Sequence, residues 1–151
     1  MLIKNSIDIR CNTRQVFYWL KDPAKAKQWM TSVKQIEILH KTPNLLGTIF
    51  REVLADGNRE TEILGTITEY KENKKISFYL ESEFHTVNVC FTLVDLQGIS
   101  RLEQRADVRF KGIFKIITFL FGSLLKRKII KQTQSEFSCL KELCEQNVRN
   151  P

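Results

Sequence analysis

The stretch SRLEQRADVRFKGIFKIITFLFGSLL, from Ser100 to Leu125, changes its hydrophobic period part-way along. As far as Phe110 it alternates. Leu102, Ala106, Val108 and Phe110 share one side, and Arg101, Glu103, Arg105, Asp107 and Arg109 share the other. Successive side chains of a strand point to opposite faces, so this segment reads as a strand with one dry and one wet face. Gly112 ends the alternation, and a helical pattern runs from there to about Gln146. Within it, Ile130, Phe137, Leu140 and Cys144 form one apolar stripe at helical spacings. The first part, Ile113 to Leu125, is apolar around its whole circumference.

The same period-two pattern extends backwards. It predicts strands at Val33–His40, Leu46–Leu54, Glu60–Tyr70, Ile76–Phe84 and Thr86–Asp95 ahead of Ser100–Phe110. Turn chemistry separates them at Pro43-Asn44, Asp56-Gly57-Asn58, Glu72-Asn73 and Gln97-Gly98. Strands joined this tightly must be antiparallel neighbours, because a parallel crossover needs a dozen residues or more. Ile3, Ile7 and Ile9 mark one further strand at the start of the chain. Two short helices follow it, one capped by Asn12 or Thr13 and carrying Val16, Phe17 and Leu20, the other opened by Asp22-Pro23 and running through Trp29. No linker or repeat interrupts this order, so one domain over residues 1–151 is expected. The class is α+β, with a curved antiparallel sheet of about seven strands, two short N-terminal helices and one long C-terminal helix gripping the sheet.

At 151 residues the chain can bury roughly 68–70% of its unfolded surface, enough for a core without disulfide or metal. Hydrophobic residues at 42% and charged residues at 27% rule out disorder as the main description. The N-terminus lacks the apolar run of a secretion signal, and Ile113 to Leu125 is too short to span a bilayer. Cys11, Cys90, Cys139 and Cys144 form no Cys-x-x-Cys pair and read as reduced thiols, which fits a cytoplasmic location. No metal or other cofactor is expected. His40 and His85, the two histidines, have no ligand-spaced neighbours. No nucleophile elbow, dinucleotide fingerprint or phosphate loop is present.

The chain resembles the START-like helix-grip superfamily, especially its polyketide cyclase/dehydrase and lipid-transport branch. The resemblance spans nearly the whole length. Its marks are Val16-Phe17 with Leu20 and Asp22-Pro23, Trp29, Leu46-Gly47-Thr48 leading to Phe50-Arg51-Glu52, and the stretch Gly57 to Glu62. Ile67-Thr68-Glu69-Tyr70, Ile76-Ser77-Phe78 and Gly112 to Leu125 complete the series. Proteins of this superfamily use the space between sheet and long helix for lipids, hormones, polyketides or other apolar molecules, and a minority catalyse reactions. The resemblance therefore implies a pocket for a small apolar or amphipathic ligand, in a carrier or sensor. Catalytic residues vary within the branch, so none is carried over to this chain.

Strand parity and the apolar helix start give the expected lining, between the sheet and the front half of the long helix. From the sheet it comprises Phe50, Ile67, Phe78, Leu80, Phe91, Leu93 and Val108; from the helix, Phe114, Ile117 and Phe121. Gln104 joins them as a polar residue on the dry face, where an unpaired amide would cost on the order of 1–3 kcal/mol. A backbone group, a buried water or a ligand would satisfy it. Asn5, between Ile3 and Ile7, poses the same question. Glu52, Glu60 and Glu62 belong either to a solvated sheet face or, if one of them meets the cavity, to an acid or base of raised pKa.

These residues leave catalysis open and favour binding. The alternatives are a cyclase, dehydratase or hydrolase using a pocket carboxylate, and a co-chaperone-like interaction domain. Two polar side chains converging in the cavity would mark the enzyme; a filled cavity with an exposed apolar patch would mark the interaction domain. The net charge of +7 draws the chain to anionic partners. Lys111, Lys115, Lys126, Arg127, Lys128 and Lys131 flank the apolar helix start with no acid among them. Such a surface suits transient contact with an anionic membrane better than nucleic acid, which is not an expected partner. One side of that helix start must face something other than the sheet: a covering loop near Trp19 and Trp29, a second subunit or a membrane. The chain is expected to be a monomer or a homodimer.

Overall fold

The computed structural model describes residues 1–149, with side chains as far as Gln146. In chain order the elements are β1 (Leu2–Ile9), α1 (Thr13–Leu20), a 3-10 helix (Pro23–Gln28), β2 (Val33–His40), β3 (Ile49–Asp56), β4 (Arg59–Lys71), β5 (Lys75–Glu81), β6 (His85–Asp95), β7 (Ser100–Phe110) and α2 (Phe114–Arg149). All seven strands join one antiparallel sheet in the order β1-β7-β6-β5-β4-β3-β2. Short turns make β2 to β7 a meander. β1, detached by the two short helices, returns to pair with β7 from Leu2↔Asp107 to Ile9↔Ser100. Register shifts in β2 and at Ile67/Glu69 of β4 insert extra residues, which bend a strand and increase its twist.

Local chemistry sets the boundaries. Asn12 and Gln15 form a reciprocal capping box: each side-chain oxygen accepts from the other's backbone N–H, at 2.9 and 3.3 Å. Asp22 caps the 3-10 helix through the Ala24 N–H at 3.0 Å. β3 begins at Ile49 and not at Leu46, because Leu45 and Gly47 take left-handed φ values of 66° and 80° and turn the chain. β5 ends at Glu81 and not at Phe84. There the Ser82 hydroxyl accepts the N–H groups of Phe84 and His85, at 3.2 and 3.1 Å, and so closes a turn. Phe84 accordingly leaves the dry face and meets Phe114 edge-on, with ring centroids 4.8 Å apart.

The core gathers at one end of α2. Phe137, Leu140 and Cys144 are fully buried against Val16, Phe17 and Leu20 of α1 and against Ile9 and Leu102 of the sheet. Burying a Phe or Leu in this way is worth about 1.5–3 kcal/mol. The helix is too long to be held throughout. Its 36 residues span roughly 54 Å at 1.5 Å each. The 11 residues of β7 span roughly 37 Å. Its front turns therefore project past the sheet, and Ile113, Ile116, Phe119, Leu120 and Leu124 are exposed.

One glycine is indispensable for a steric reason. The Phe50 ring lies across Gly65 of the neighbouring strand, and a Cβ there would sit 2.2 Å from the Phe50 Cζ. Phe50 cannot easily yield, being fully buried and packed edge-to-face on Phe78 at 5.9 Å. Gly65→Ala is therefore expected to destabilise the protein by about 1–3 kcal/mol, the usual cost of overpacking, as a lowered midpoint in urea denaturation.

Candidate functional site

The concave face of the sheet is not filled. A cavity of about 410 Å³ remains between it and α2, within the range usual for small-molecule sites. Register explains its floor. One row of paired residues runs Ile3, Ala106, Val89, Phe78 from β1 to β5. The next runs Val108, Val87, Leu80, Gly65, Phe50 from β7 to β3. Because residues directly opposite in an antiparallel sheet share a face, these rows form one continuous apolar surface. Edge-to-face contacts extend across it from Phe50 to Phe78, from Phe78 to Phe91 at 6.2 Å, and from Phe91 to Trp29 at 6.5 Å. Such pairs add about 0.5–1.5 kcal/mol each beyond burial. Trp19, Leu20 and Trp29 border the cavity on one side, and Leu125 and Ile129 of α2 on another.

One part of this apolar wall is polar. Glu52 of β3 is only 7% exposed and borders the cavity, as does Glu136 of α2. Glu136 Oε1 accepts from Ser32 Oγ at 3.0 Å, from Gln132 Nε2 at 3.3 Å, and from Thr31 Oγ1 and Ser32 N, both at 3.4 Å. Among the described residues, no hydrogen-bond donor reaches Glu52. Trp29 Nε1, also in the cavity wall, is a buried donor with no acceptor among them. Burial pushes the Glu52 carboxyl up to about 7, and repulsion from Glu136 adds to the effect. At the rim, Lys128 of α2 pairs with Asp56 of β3 at 2.9 Å.

Of the residues expected to line the site, Phe50, Phe78, Leu80, Phe91, Gln104 and Val108 border the cavity. Ile67 and Leu93 are buried in the core without bordering it. Phe114, Ile117 and Phe121 lie away from it, and the helix contribution shifts towards the middle of α2, from Leu125 to Glu136. The reason is length: the front turns carry these residues past the sheet, where Ile117 and Phe121 are exposed. Phe114 is half-buried against Phe84 of the β5–β6 turn, whereas the elements around Trp19 and Trp29 flank the cavity and leave Ile117 and Phe121 exposed. Glu60 and Glu62 face solvent, in ion pairs with Lys34 and Arg51. Glu52 has the opposite orientation because it shares parity with Phe50. Gln104 and Asn5 answer each other: Asn5 Nδ2 donates to Gln104 Oε1 at 3.2 Å across the β1–β7 pairing. His40 is exposed. His85 borders the cavity, its Nδ1 lies 3.0 Å from Ser82 Oγ, and burial followed by the nearby Lys111 lowers its pKa. Among the described residues no group of His, Cys, Asp and Glu is arranged to hold a metal ion.

Glu136 and Trp29 were the functional candidates that sequence reasoning overlooked. The available signal for Glu136 was its place on the row Ile129, Thr133, Glu136, at helical spacings of four and three beside buried Phe137.

No protein-family model matches the sequence, and no curated protein matches it. Solved structures do match. A protein from Thermus thermophilus superposes with a TM-score of 0.82 at 15% identity, over 97% of this chain and 99% of its own. An aromatase/cyclase from a Streptomyces species gives 0.84 at 9% identity, over 99% and 96%. A START superfamily protein from Mycobacterium smegmatis gives 0.66 at 16% identity, over 89% and 97%. The chain has the START-like helix-grip fold. At these identities the likeness concerns the fold alone, and the helix-grip architecture accounts for where the cavity lies.

The Glu52 carboxyl makes stability depend on pH. Its ordinary value is 4.5, against about 7 in the folded protein. Between those values the folded state keeps a proton that the unfolded chain has lost, so stability falls as pH rises through the window and levels off above it. The loss should be on the order of 3 kcal/mol. Glu52→Gln should remove that dependence, and urea denaturation at about pH 5 and about pH 8 would show it as a flattened profile with the variant more stable at the higher pH. Equal pH dependence in both proteins would contradict the assignment.

Proposed function

We propose that the cavity binds one amphipathic molecule, a lipid, polyketide or similar compound, and that the protein acts as its carrier or sensor. The observation that supports this is an unfilled apolar cavity whose wall carries a localised polar group. An apolar body would lie against Phe50, Phe78 and Phe91. A polar end would meet Glu52 and Trp29 Nε1, which have no hydrogen-bond partner among the described residues, beside the already bonded Glu136. Protonated Glu52 donates a hydrogen bond to a carbonyl or hydroxyl; ionised, it accepts one or pairs with an amine. The free thiols fit work in the reducing cytoplasm.

A second reading has its own support. Glu52 holds its proton near neutral pH beside a second carboxylate, the arrangement a general acid or base of a cyclase, dehydratase or hydrolase would use. The aromatase/cyclase named above shares this fold, which supports the reading. An interaction domain is less favoured because the cavity is open. Turnover abolished by Glu52→Gln with ligand binding retained would select the enzyme.

Ala106 lies on the cavity floor, and Phe fits there only by taking up cavity volume. Ala106→Phe should weaken binding of an environment-sensitive dye such as 1-aminoanthracene by roughly tenfold or more, read by fluorescence titration. Native mass spectrometry of protein from its own host should show a retained small molecule that the variant lacks. Unchanged dye affinity in the variant would move the ligand out of the cavity.

A further inference from the structure

The front of α2 is inverted relative to an ordinary surface helix. Phe114, Thr118, Gly122 and Leu125 form its half-buried inner row, at spacings of four, four and three. Two of those four are small or polar, where a packed helix would carry large apolar groups. The large apolar side chains point the other way. Ile113, Ile116, Ile117, Phe119, Leu120, Phe121 and Leu124 are between 43% and 87% exposed. Scattered exposed apolar residues are ordinary on a protein surface, but seven within twelve residues, six in α2 and Ile113 just before it, mark a site of contact.

Charge identifies what meets it. Leu120, Leu124, Arg127 and Lys131 follow one another at spacings of four, three and four, so the apolar face continues into a basic one. Lys111 is held by Glu81 and Lys128 by Asp56. Among the described residues, no acid pairs with Lys115, Lys126, Arg127 or Lys131. A second copy of this chain is a poor partner for the face, because a two-fold contact would set these unpaired cations against each other. A surface with an apolar interior and anionic headgroups complements both parts.

We propose that the first turns of α2 dock on an anionic lipid surface, with the Phe119 and Leu120 side chains entering the acyl boundary and Lys126 and Arg127 resting among the headgroups. No helix among the described residues is long and apolar enough to cross a membrane, so the contact is peripheral. Docking brings the cavity rim to the bilayer, since Leu125 borders the cavity directly after exposed Leu124. The proposal stands independently of ligand binding in the cavity.

Co-sedimentation with phosphatidylcholine vesicles, with and without phosphatidylserine, tests it. At least roughly thirtyfold stronger binding to the anionic vesicles is expected, weakening as salt is raised. Lys126→Gln with Arg127→Gln should lower that binding by roughly thirtyfold, taking about tenfold per 1.4 kcal/mol and about 1 kcal/mol per cation. Phe119→Ser with Leu120→Ser should abolish it. All four side chains are exposed, so circular dichroism and melting should be unchanged in both variants. Equal binding to both vesicle types, binding to neither, or undiminished binding by the variants would overturn the proposal. So would a solution dimer that Phe119→Ser with Leu120→Ser dissociates, which would give the face to a second copy.

Discussion

A single α-helix, about 10 Å across, has to cover a concave seven-stranded sheet. Everything else in this structure depends on how that mismatch is resolved. The helix commits its C-terminal half, through Phe137, Leu140 and Cys144, to a tight contact at one end of the sheet, with α1 closing the corner. That contact secures the fold without filling the concavity. The cavity lies where the helix has left the floor, and the exposed apolar face lies where it has passed the edge. A shorter helix would remove the second feature, and bulkier floor residues than Ala106 and Val108 would remove the first.

The cavity is also where the electrostatics of the protein are least screened. Exposed pairs such as Arg101 with Asp8, on the outer face of the sheet, contribute little by comparison. Glu52 differs because β3 alternates strictly through Phe50, so the strand that supplies the floor's central ring must also turn a carboxyl inwards. With no donor to meet it and Glu136 nearby, neutralisation is the cheapest response, and the raised pKa follows. Gln104 shows the contrasting outcome. Its partner Asn5 arrives with β1, and the amide needs nothing from a ligand to be accommodated.

Much of this architecture was legible in the residues. Alternation in Ser100–Phe110 and the break at Gly112 located the sheet-to-helix junction, and β7 and the start of α2 lie there. Parity put Phe50, Phe78, Leu80, Phe91 and Val108 on one face, and these residues border the cavity, because the period of a strand leaves no freedom once one residue is placed. What parity could not supply was position along the helix. Hydrophobicity drew attention to Phe114, Ile117 and Phe121, whereas the sheet ends before reaching them. The polar residues Gln132, Thr133 and Glu136, which resemble a solvated face in the sequence, meet the cavity together with Leu125 and Ile129. Turn geometry at Leu45 and Gly47, and the hydroxyl of Ser82, likewise moved strand ends by a few residues for reasons that hydrophobic period does not register.

The Phe50 ring lying over Gly65 has a consequence for how the cavity can change over time. Because Gly65 has no side chain, the Phe50 ring alone occupies the space over the β4 backbone at that point. A smaller residue at position 50 would extend the chamber towards β4 without altering strand pairing, since backbone hydrogen bonds do not depend on the side chain they carry. Under the proposed binding function, the length of molecule the chamber admits would be gauged by one aromatic side chain, and a single substitution could lengthen it while keeping the sheet intact.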